Sequence, residues 1–185
     1  MRTEDKFPFG DVIAATRTES DFLAAIESDV DTIFDLAPDI MTGAPKLKMA
    51  HKSGKMLFIH IDLSKGLGRD ESGMKYLKFL GIDGIISTKS SMIKIARELG
   101  LTTVQRFFIV DSLFIESTAD ALKNSKPDMI EIMPGTVSKV ISKLKSTTQT
   151  PIIAGGLIES TDEVSAALES GAAAVSTGKK ELWNR

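Results

Sequence analysis

Short apolar runs alternate with stretches of helical spacing along almost the whole chain. The runs are rich in Val, Ile, Ala and Phe, and small or turn-forming residues bound them. This pattern is typical of short buried strands separated by turns. Strands are predicted at 11–16, 30–36, 56–62, 82–87, 102–110, 128–132, 151–154 and 172–175.

Between these runs, apolar residues recur at intervals of three and four, which predicts helices with one buried face. Helices are predicted at 20–28, 44–54, 71–80, 90–99, from 111 or 112 to about 124, at 137–145, and from 161 to 171. Ser20 and Thr161 are expected to cap the first and last of these helices. Asp111 and Ser112 are expected to cap the fifth. Pro45 is expected in the first turn of the second.

The alternation of strand and helix predicts an α/β fold with a parallel sheet covered by helices. Eight units favour a closed (β/α)8 barrel of the TIM type, and an open flavodoxin-like sheet is the alternative. At 185 residues the chain lies slightly below the usual size of such barrels. We therefore expect one compact domain over residues 1–185, with short loops and a stunted last helix.

Composition narrows the function classes. The net charge of -2 does not suggest a strongly basic nucleic-acid binder, and the absence of cysteine excludes disulfides and thiolate metal sites. The two histidines, His51 and His60, lie in different elements, so no metal site and no cofactor are expected. Neither a signal peptide nor a run of membrane-spanning length is apparent, and a cytoplasmic protein is expected.

The last two predicted strands are each followed by small residues suited to a phosphate. Loops after these strands commonly hold phosphate in (β/α)8 barrels. Glycine N–H groups can approach an oxyanion closely, hydroxyls can donate to it, and a following helix start adds positive charge. The sequence therefore predicts a phosphate cradle, although these glycines could serve only as turns. Its members are Gly155, Gly156, Ser176, Thr177 and Gly178.

Residues that follow the other strands should share the same barrel face. We predict that cations there hold the phosphate and that carboxylates accept hydrogen bonds from hydroxyls, which fits a small phosphorylated polyol. The residues assigned to this pocket are Asp62, Lys89, Arg106, Glu131 and Gly135.

Each of these side chains has a plainer interpretation. A carboxylate inside a barrel is costly unless it is paired, and Arg106 is the obvious partner of Glu131. His60 is expected to be a hydrogen-bonded interior histidine rather than a catalytic base. Lys89 is either a solvated lysine at a strand end or a Schiff-base nucleophile.

Six motifs in the same order give the chain a resemblance to a known family, from about Val12 to Trp183. They are HIDLSKGLGRDE (60–71), DGIISTK (83–89), TVQRFFIVDS (103–112), DMIEIMPG (128–135), IIAGGLI (152–158) and VSTGKKELW (175–183). Together they resemble the GlpP family, the glycerol-3-phosphate-responsive antiterminators of glycerol uptake operons. The loop at 64–70 is expected to vary, and its part in ligand closure or RNA contact is open.

The resemblance implies a phosphate-binding TIM barrel without an established enzymatic role. Such a protein binds glycerol 3-phosphate and leader mRNA, allows transcription to pass a terminator, and so regulates glycerol uptake and catabolism genes. The ten residues assigned above would then contact or line the ligand. A homo-oligomer is compatible with this interpretation.

Two other functions are kept as alternatives. One is a barrel enzyme, such as a lyase, aldolase or isomerase, acting on a small phosphorylated polyol or sugar. The other is a barrel without a ligand.

RNA binding has little direct support in the sequence. No RNA-binding signature and no series of exposed aromatic residues is recognisable. Three basic segments are available, although each of the first two is more often a solvated helix face. They are Lys46, Lys48, His51, Lys52 and Lys55; Lys139, Lys143 and Lys145; and Lys179, Lys180 and Arg185. Ligand binding is expected to order the loops after the third, seventh and eighth strands.

Overall fold

A ring of eight parallel strands forms the centre of the structure, a computed structural model that describes residues 9–111 and 114–184. The strands are β1 (Val12–Thr16), β2 (Thr32–Asp35), β3 (Met56–His60), β4 (Gly84–Ser87), β5 (Thr102–Phe108), β6 (Met129–Met133), β7 (Ile152–Gly155) and β8 (Ala174–Thr177). They pair in sequence order, and β8 closes the ring on β1. The closed (β/α)8 barrel is thereby confirmed, and the open sheet is excluded.

Helices follow the first seven strands and cover the outside of the ring. They are α1 (Glu19–Glu27), α2 (Ile40–Lys52), α3 (Glu71–Leu80), α4 (Ser90–Glu98), α5 (Phe114–Ser125), α6 (Ser138–Lys145) and α7 (Thr161–Glu169). A short 3-10 turn at Lys180–Leu182 stands where an eighth helix would lie. The buried indole of Trp183 donates to the carbonyl oxygen of Thr177 at 2.9 Å and holds this stunted end against β8.

The predicted caps of α1 and α7 were wrong. The cap of α1 lies two residues earlier than predicted, and the cap of α7 lies one residue earlier. Thr18 caps α1, and its hydroxyl accepts a hydrogen bond from the N–H of Asp21. Ser160 caps α7, and the carboxylate of Glu163 accepts from the N–H of Ser160 in return. In each case an acidic residue three positions after the cap completes a capping box.

The second helix begins earlier than predicted. Asp39 caps α2, and its carboxylate accepts from the N–H of Met41 at 2.9 Å. Pro45 therefore lies inside the helix instead of in its first turn. The predicted cap Ser112 and the basic residue Arg185 lie outside the described residues.

The last strand begins two residues later than predicted. Gly171 adopts a left-handed conformation with φ of 101°, and the N–H of Ala172 donates to Ala167 to complete the end of α7. Ala172, which was expected to start the strand, therefore belongs to the end of α7. As a consequence Ser176 and Thr177 lie within β8 and not in the turn after it.

Two apolar layers hold the barrel together. Inside the ring, Ile13, Phe34, Phe58 and other strand residues pack together, and Phe9 meets Phe58 edge to face at a centroid distance of 5.1 Å. Outside it, apolar helix faces pack on the outward side chains of the strands. Because Phe9 precedes β1, it closes the amino end of the barrel and leaves the carboxyl end as the open one. Among the described helices, none is both long and apolar enough to cross a membrane.

Candidate ligand site at the carboxyl end of the barrel

A pocket of about 320 Å³ opens at the carboxyl ends of the strands. Its volume lies at the lower end of the range for ligand pockets, so it suits a small molecule. Segments after β1, β7 and β8 form most of its wall, and side chains of β5 and β6 form its floor. The lining residues are Ala15, Arg17, Asp21, Leu36, Arg106, Glu131, Met133, Gly156, Leu157, Ile158, Glu159, Ser176, Thr177, Gly178 and Lys179.

The pocket brings together six of the ten residues assigned from the sequence: Arg106, Glu131, Gly156, Ser176, Thr177 and Gly178. The other four, Asp62, Lys89, Gly135 and Gly155, are not part of its lining. Gly135 and Gly155 lie directly behind the pocket, whereas Asp62 and Lys89 follow β3 and β4.

The floor of the pocket is a buried ion pair. Glu131 is 0% exposed and Arg106 is 5% exposed. One carboxylate oxygen of Glu131 accepts from Nε of Arg106 at 2.6 Å, and the other accepts from the hydroxyl of Ser176 at 2.5 Å. These two charge-assisted hydrogen bonds satisfy a carboxylate that would otherwise be costly to bury. The terminal amino groups of Arg106 make no hydrogen bond within the described chain and remain available to a ligand.

Gly155 makes room for this ion pair. A Cβ atom at this position would lie 2.5 Å from Oε1 of Glu131 and 2.7 Å from the hydroxyl of Ser176. Gly135 allows a similarly close approach, since a Cβ atom there would lie 2.7 Å from the backbone nitrogen of Gly155. Its N–H donates to the carbonyl oxygen of Gly155 at 2.6 Å. Both glycines therefore shape the walls behind the pocket.

The hydroxyls of β8 are already engaged as donors. Ser176 donates to Glu131, and the hydroxyl of Thr177 donates to the carbonyl oxygen of Ile158 at 2.7 Å. They position the floor and the β7 loop. The hydroxyl of Thr177 also accepts from the N–H of Lys179 at 3.1 Å, so it has one lone pair left for a ligand, whereas the hydroxyl of Ser176 has two. The start of α7 is likewise occupied, because Glu163 accepts from the N–H groups of Glu159 and Ser160.

Several backbone N–H groups around the pocket are free for an anion. Within the described chain, no hydrogen bond uses the N–H of Gly156, Leu157 or Gly178. Gly156 and Leu157 both have a left-handed backbone, with φ of 73° and 59°. Such conformations are uncommon for leucine and cluster at functional sites. The glycine turn after β7 therefore presents N–H groups to the pocket, and its role as a phosphate cradle stays a prediction.

Two cations on the rim were not assigned to the ligand from the sequence. Arg17 and Lys179 are exposed, line the pocket, and make no ion pair within the described chain. The neighbouring Lys180 is engaged, because it pairs with Asp21 at 2.8 Å. That hydrogen bond is the main reason that the pKa of Asp21 falls to about 2, against an opposing effect of burial. The position of Arg17 directly after β1 could have assigned it to the pocket.

Asp62 ties the end of β3 to the end of β4. Its carboxylate accepts from the hydroxyl of Ser87 at 2.7 Å, and from the N–H and hydroxyl of Thr88 at 2.7 and 2.8 Å. Burial by itself would raise the pKa of Asp62, but these hydrogen bonds outweigh it and lower the pKa. Lys89 follows as the exposed residue that precedes α4.

His60 lies inside the barrel, as predicted, and is 2% exposed. Within residues 9–111 and 114–184 its Nδ1 has no hydrogen-bond partner, so the expectation of a hydrogen-bonded histidine does not hold for this ring nitrogen. Burial, followed by the positive charge of Arg106, lowers the pKa of His60 to about 4. The side chain is therefore neutral at physiological pH. No group of three or more His, Asp or Glu within residues 9–111 and 114–184 could hold a metal ion.

The chain matches a family model over most of its length. The model describes the glycerol-3-phosphate responsive antiterminator, and the match covers residues 12–183. Among curated proteins, the uncharacterized protein YgcP of Escherichia coli strain K12 is 37% identical over 173 residues, which are 93% of this chain and 91% of that protein.

Two solved structures are similar in both sequence and fold. The glycerol uptake operon antiterminator regulatory protein of Listeria monocytogenes is 31% identical, with a TM-score of 0.90 over 96% of this chain and 98% of that one. A glycerol uptake operon antiterminator-related protein of Thermotoga maritima is also 31% identical, with a TM-score of 0.84 over 95% of this chain and 98% of that one.

Proposed function

This chain belongs to the glycerol-3-phosphate responsive antiterminator family, and from that premise we propose that it senses glycerol 3-phosphate and acts on leader mRNA as a transcription antiterminator. The genes it controls are those of glycerol uptake and catabolism. A nascent mRNA as partner requires a cytoplasmic protein. The homo-oligomer stays a prediction.

One feature of the pocket carries the ligand half of this proposal. The same pocket is lined by the N–H groups of Gly156, Leu157 and Gly178 and by the cations Arg17 and Lys179, none of which has a partner in the described part of the chain. They come from adjacent segments after β7, β8 and β1. Backbone N–H groups combined with cations are a usual way to hold a phosphate dianion.

The floor of the pocket suits the polyol part of the ligand. Arg106 has free N–H donors for hydroxyl oxygens, and Glu131 holds its guanidinium in place. Ser176 and Thr177 contribute acceptor lone pairs. We assign the phosphate to the rim and the hydroxyl groups to the floor.

The proposal is for a regulator rather than an enzyme. In the enzyme alternative, Lys89 or Glu131 would stand within reach of a reacting carbon. Lys89 is exposed and outside the pocket lining, and both carboxylate oxygens of Glu131 already accept short hydrogen bonds. These contacts favour a binding pocket, and borohydride trapping with a triose phosphate is expected to leave Lys89 unmodified.

Thermal unfolding tests the ligand assignment. sn-Glycerol 3-phosphate is compared with glycerol and with inorganic phosphate at equal concentrations. A ligand that binds only the folded state at about 100 times its Kd adds about 2.7 kcal/mol of stability, which raises Tm by several degrees. We expect this rise with glycerol 3-phosphate and a much smaller one with either fragment. No rise with any of the three compounds would contradict the proposal.

Charge-removing variants locate the phosphate. The double variant Arg17→Gln, Lys179→Gln is expected to lose most of the rise in Tm, because two cations no longer face the phosphate. Lys52→Gln is the control, since this exposed lysine belongs to α2, outside the pocket lining. An unchanged rise in the double variant would mean that the phosphate binds elsewhere.

The antitermination half requires that ligand and RNA affinities be coupled. Such coupling exists only if the ligand binds more tightly to the RNA-competent state. The loops after β7 and β8 line the pocket and are the segments that the ligand would order. A gel shift with leader RNA is expected to show tighter binding when glycerol 3-phosphate is present, and equal binding in its absence would contradict the coupling.

A further inference from the structure

We propose that the RNA backbone binds the side of the barrel mouth opposite the phosphate rim, across the ends of β3, β4 and β5. This surface, the β3–β5 rim, consists of the exposed residues Lys65, Arg69, Lys89 and Phe108. The inference rests on the proposed antitermination function and adds to it the surface by which RNA is held.

The cations of the β3–β5 rim have no ion-pair partner in the described part of the chain. Lys65, Arg69 and Lys89 make no ion pair or side-chain hydrogen bond within the described chain. Two nearby carboxylates are engaged elsewhere: Asp62 by Ser87 and Thr88, and Asp70 by the N–H of Gly73 at the start of α3. These hydrogen bonds come from neutral donors and leave both carboxylates negative, so the rim offers three separate cations for contacts with RNA phosphates and not a uniformly positive surface.

This surface is held in shape before any partner binds. The Asp62 hydrogen bonds tie the loop after β3 to the end of β4. On its other side, the loop forms a β-bridge between Lys65 and Asp39, in which the N–H of Lys65 donates to the carbonyl oxygen of Pro38 at 2.9 Å. Cations fixed in this way lose little backbone entropy when they bind phosphates.

An aromatic side chain completes the rim. Phe108 is the last residue of β5 and is 54% exposed. Aromatic side chains beside cations are the usual platform on which single-stranded RNA stacks its bases. The only other large exposed aromatic side chain in the described part of the chain is Phe79, 85% exposed near the end of α3.

The basic segments identified in the sequence are less suitable. Lys46 and His51 pair with aspartates, and Lys55 is buried, where it donates to two backbone carbonyl oxygens. Lys180 pairs with Asp21. On α6, Lys139, Lys143 and Lys145 are exposed, but no exposed aromatic residue of the described chain belongs to that helix.

The ligand pocket and the β3–β5 rim share one end of the barrel without overlapping. Among the described residues, those lining the pocket include none from β3, from β4 or from the loops after them. Ligand and RNA can therefore be bound at the same time on the same face. This arrangement allows a small ligand to change RNA affinity through neighbouring loops.

The test compares charge removal on two surfaces. Lys65→Gln, Arg69→Gln removes two charges from the rim, and Lys139→Gln, Lys143→Gln removes two from α6 as the matched control. Affinity for the 5′ leader transcript of a glycerol uptake operon from the same genome is measured over a range of KCl concentrations, with glycerol 3-phosphate present. The rim variant is expected to bind about tenfold more weakly, and the slope of log affinity against log salt should fall by about 1.4, since each phosphate contact on a single strand contributes about 0.7.

A second pair of variants tests the stacking platform. Phe108→Ala is expected to weaken binding about fivefold or more, since one lost base stack costs about 1–3 kcal/mol. Phe79→Ala, which removes an exposed ring from α3, should bind RNA normally. Each variant should retain the rise in Tm with glycerol 3-phosphate, which shows that it is folded and that its pocket is intact.

The outcomes separate this inference from the function on which it rests. If both rim variants bind RNA as tightly as the unsubstituted protein does, RNA does not bind at the β3–β5 rim. The antiterminator proposal would stand in that case. If only the α6 control loses RNA binding, the RNA binds at α6, and the assignment of RNA to the β3–β5 rim is wrong. No RNA binding by the unsubstituted protein would overturn the proposed function and the rim together.

Discussion

Glu131 is a buried carboxylate, and its charge determines which side chains must lie beside it. A carboxylate in an apolar strand needs a partner, and Arg106 on the adjacent strand is the partner that the sequence offered. Their pairing across β5 and β6 is confirmed. The third member, Ser176, could not be predicted, because the start of β8 depends on how the end of α7 is capped.

Replacing Arg106 tests this ion pair. Arg106→Met should lower the free energy of unfolding by about 3–5 kcal/mol, because Glu131 would be left buried without its counter-ion. Urea denaturation measures the change. Arg17→Met is the control, since its exposed guanidinium has no partner among the residues that the structure describes and its loss should cost at most about 0.5 kcal/mol. Equal effects of the two substitutions would contradict the structural role of the pair.

His60 makes stability dependent on pH. Folding holds its pKa at about 4, below the ordinary value of 6.5, chiefly because of burial. The unfolded chain therefore binds a proton more readily, and the folded state loses stability as pH falls from about 6.5 to about 4, by at most about 1.4 kcal/mol per pH unit.

The His60→Gln variant checks this dependence by urea denaturation at several pH values. The advantage in stability of the unsubstituted protein should shrink as pH falls through this window, because only that protein contains the titrating group. His51 is present in both proteins and cancels in the comparison. A difference in stability that does not vary with pH would show that His60 does not titrate in this range.

At the scale of single elements, the positions at which helices and strands end determine which side chains line the pocket. The existence and type of the eight strands and seven helices followed from hydrophobic periodicity, but their ends did not, because short local contacts set them. The predicted end of the third strand, for example, is a 3-10 turn at Ile61–Leu63. Ser160 and Gly171 fix the limits of α7 and thereby the start of β8. The predicted phosphate-binding hydroxyls consequently became strand residues that donate within the protein.

Two glycines of neighbouring elements are predicted to differ in their tolerance of alanine. Gly155→Ala in β7 should lower the free energy of unfolding by more than about 1 kcal/mol, because its Cβ would collide with Glu131 and Ser176. Gly178→Ala after β8 should be nearly neutral for stability, since its Cβ would come no closer than 3.6 Å, to the carbonyl oxygen of Ala15. Thermal or urea unfolding distinguishes them, and equal losses would contradict the packing described.

At the scale of the whole molecule, the alternation of strand and helix was sufficient to predict the closed barrel. It also predicted that residues after the strands meet at one end. The alternation did not show which of them surround one cavity, since the side chains at that end divide between two sides. Arg17 and Lys179 line the pocket with β7 and β8, whereas Lys65 and Lys89 stand beside β3 and β4.

In vitro transcription tests the central claim most directly. A template that carries the leader and terminator of a glycerol uptake operon from the same genome is transcribed once, with and without the protein and sn-glycerol 3-phosphate. The account predicts that read-through of the terminator increases only when protein and ligand are both present, and that glycerol cannot replace the ligand. Read-through that is unchanged by the protein at saturating ligand would contradict the account.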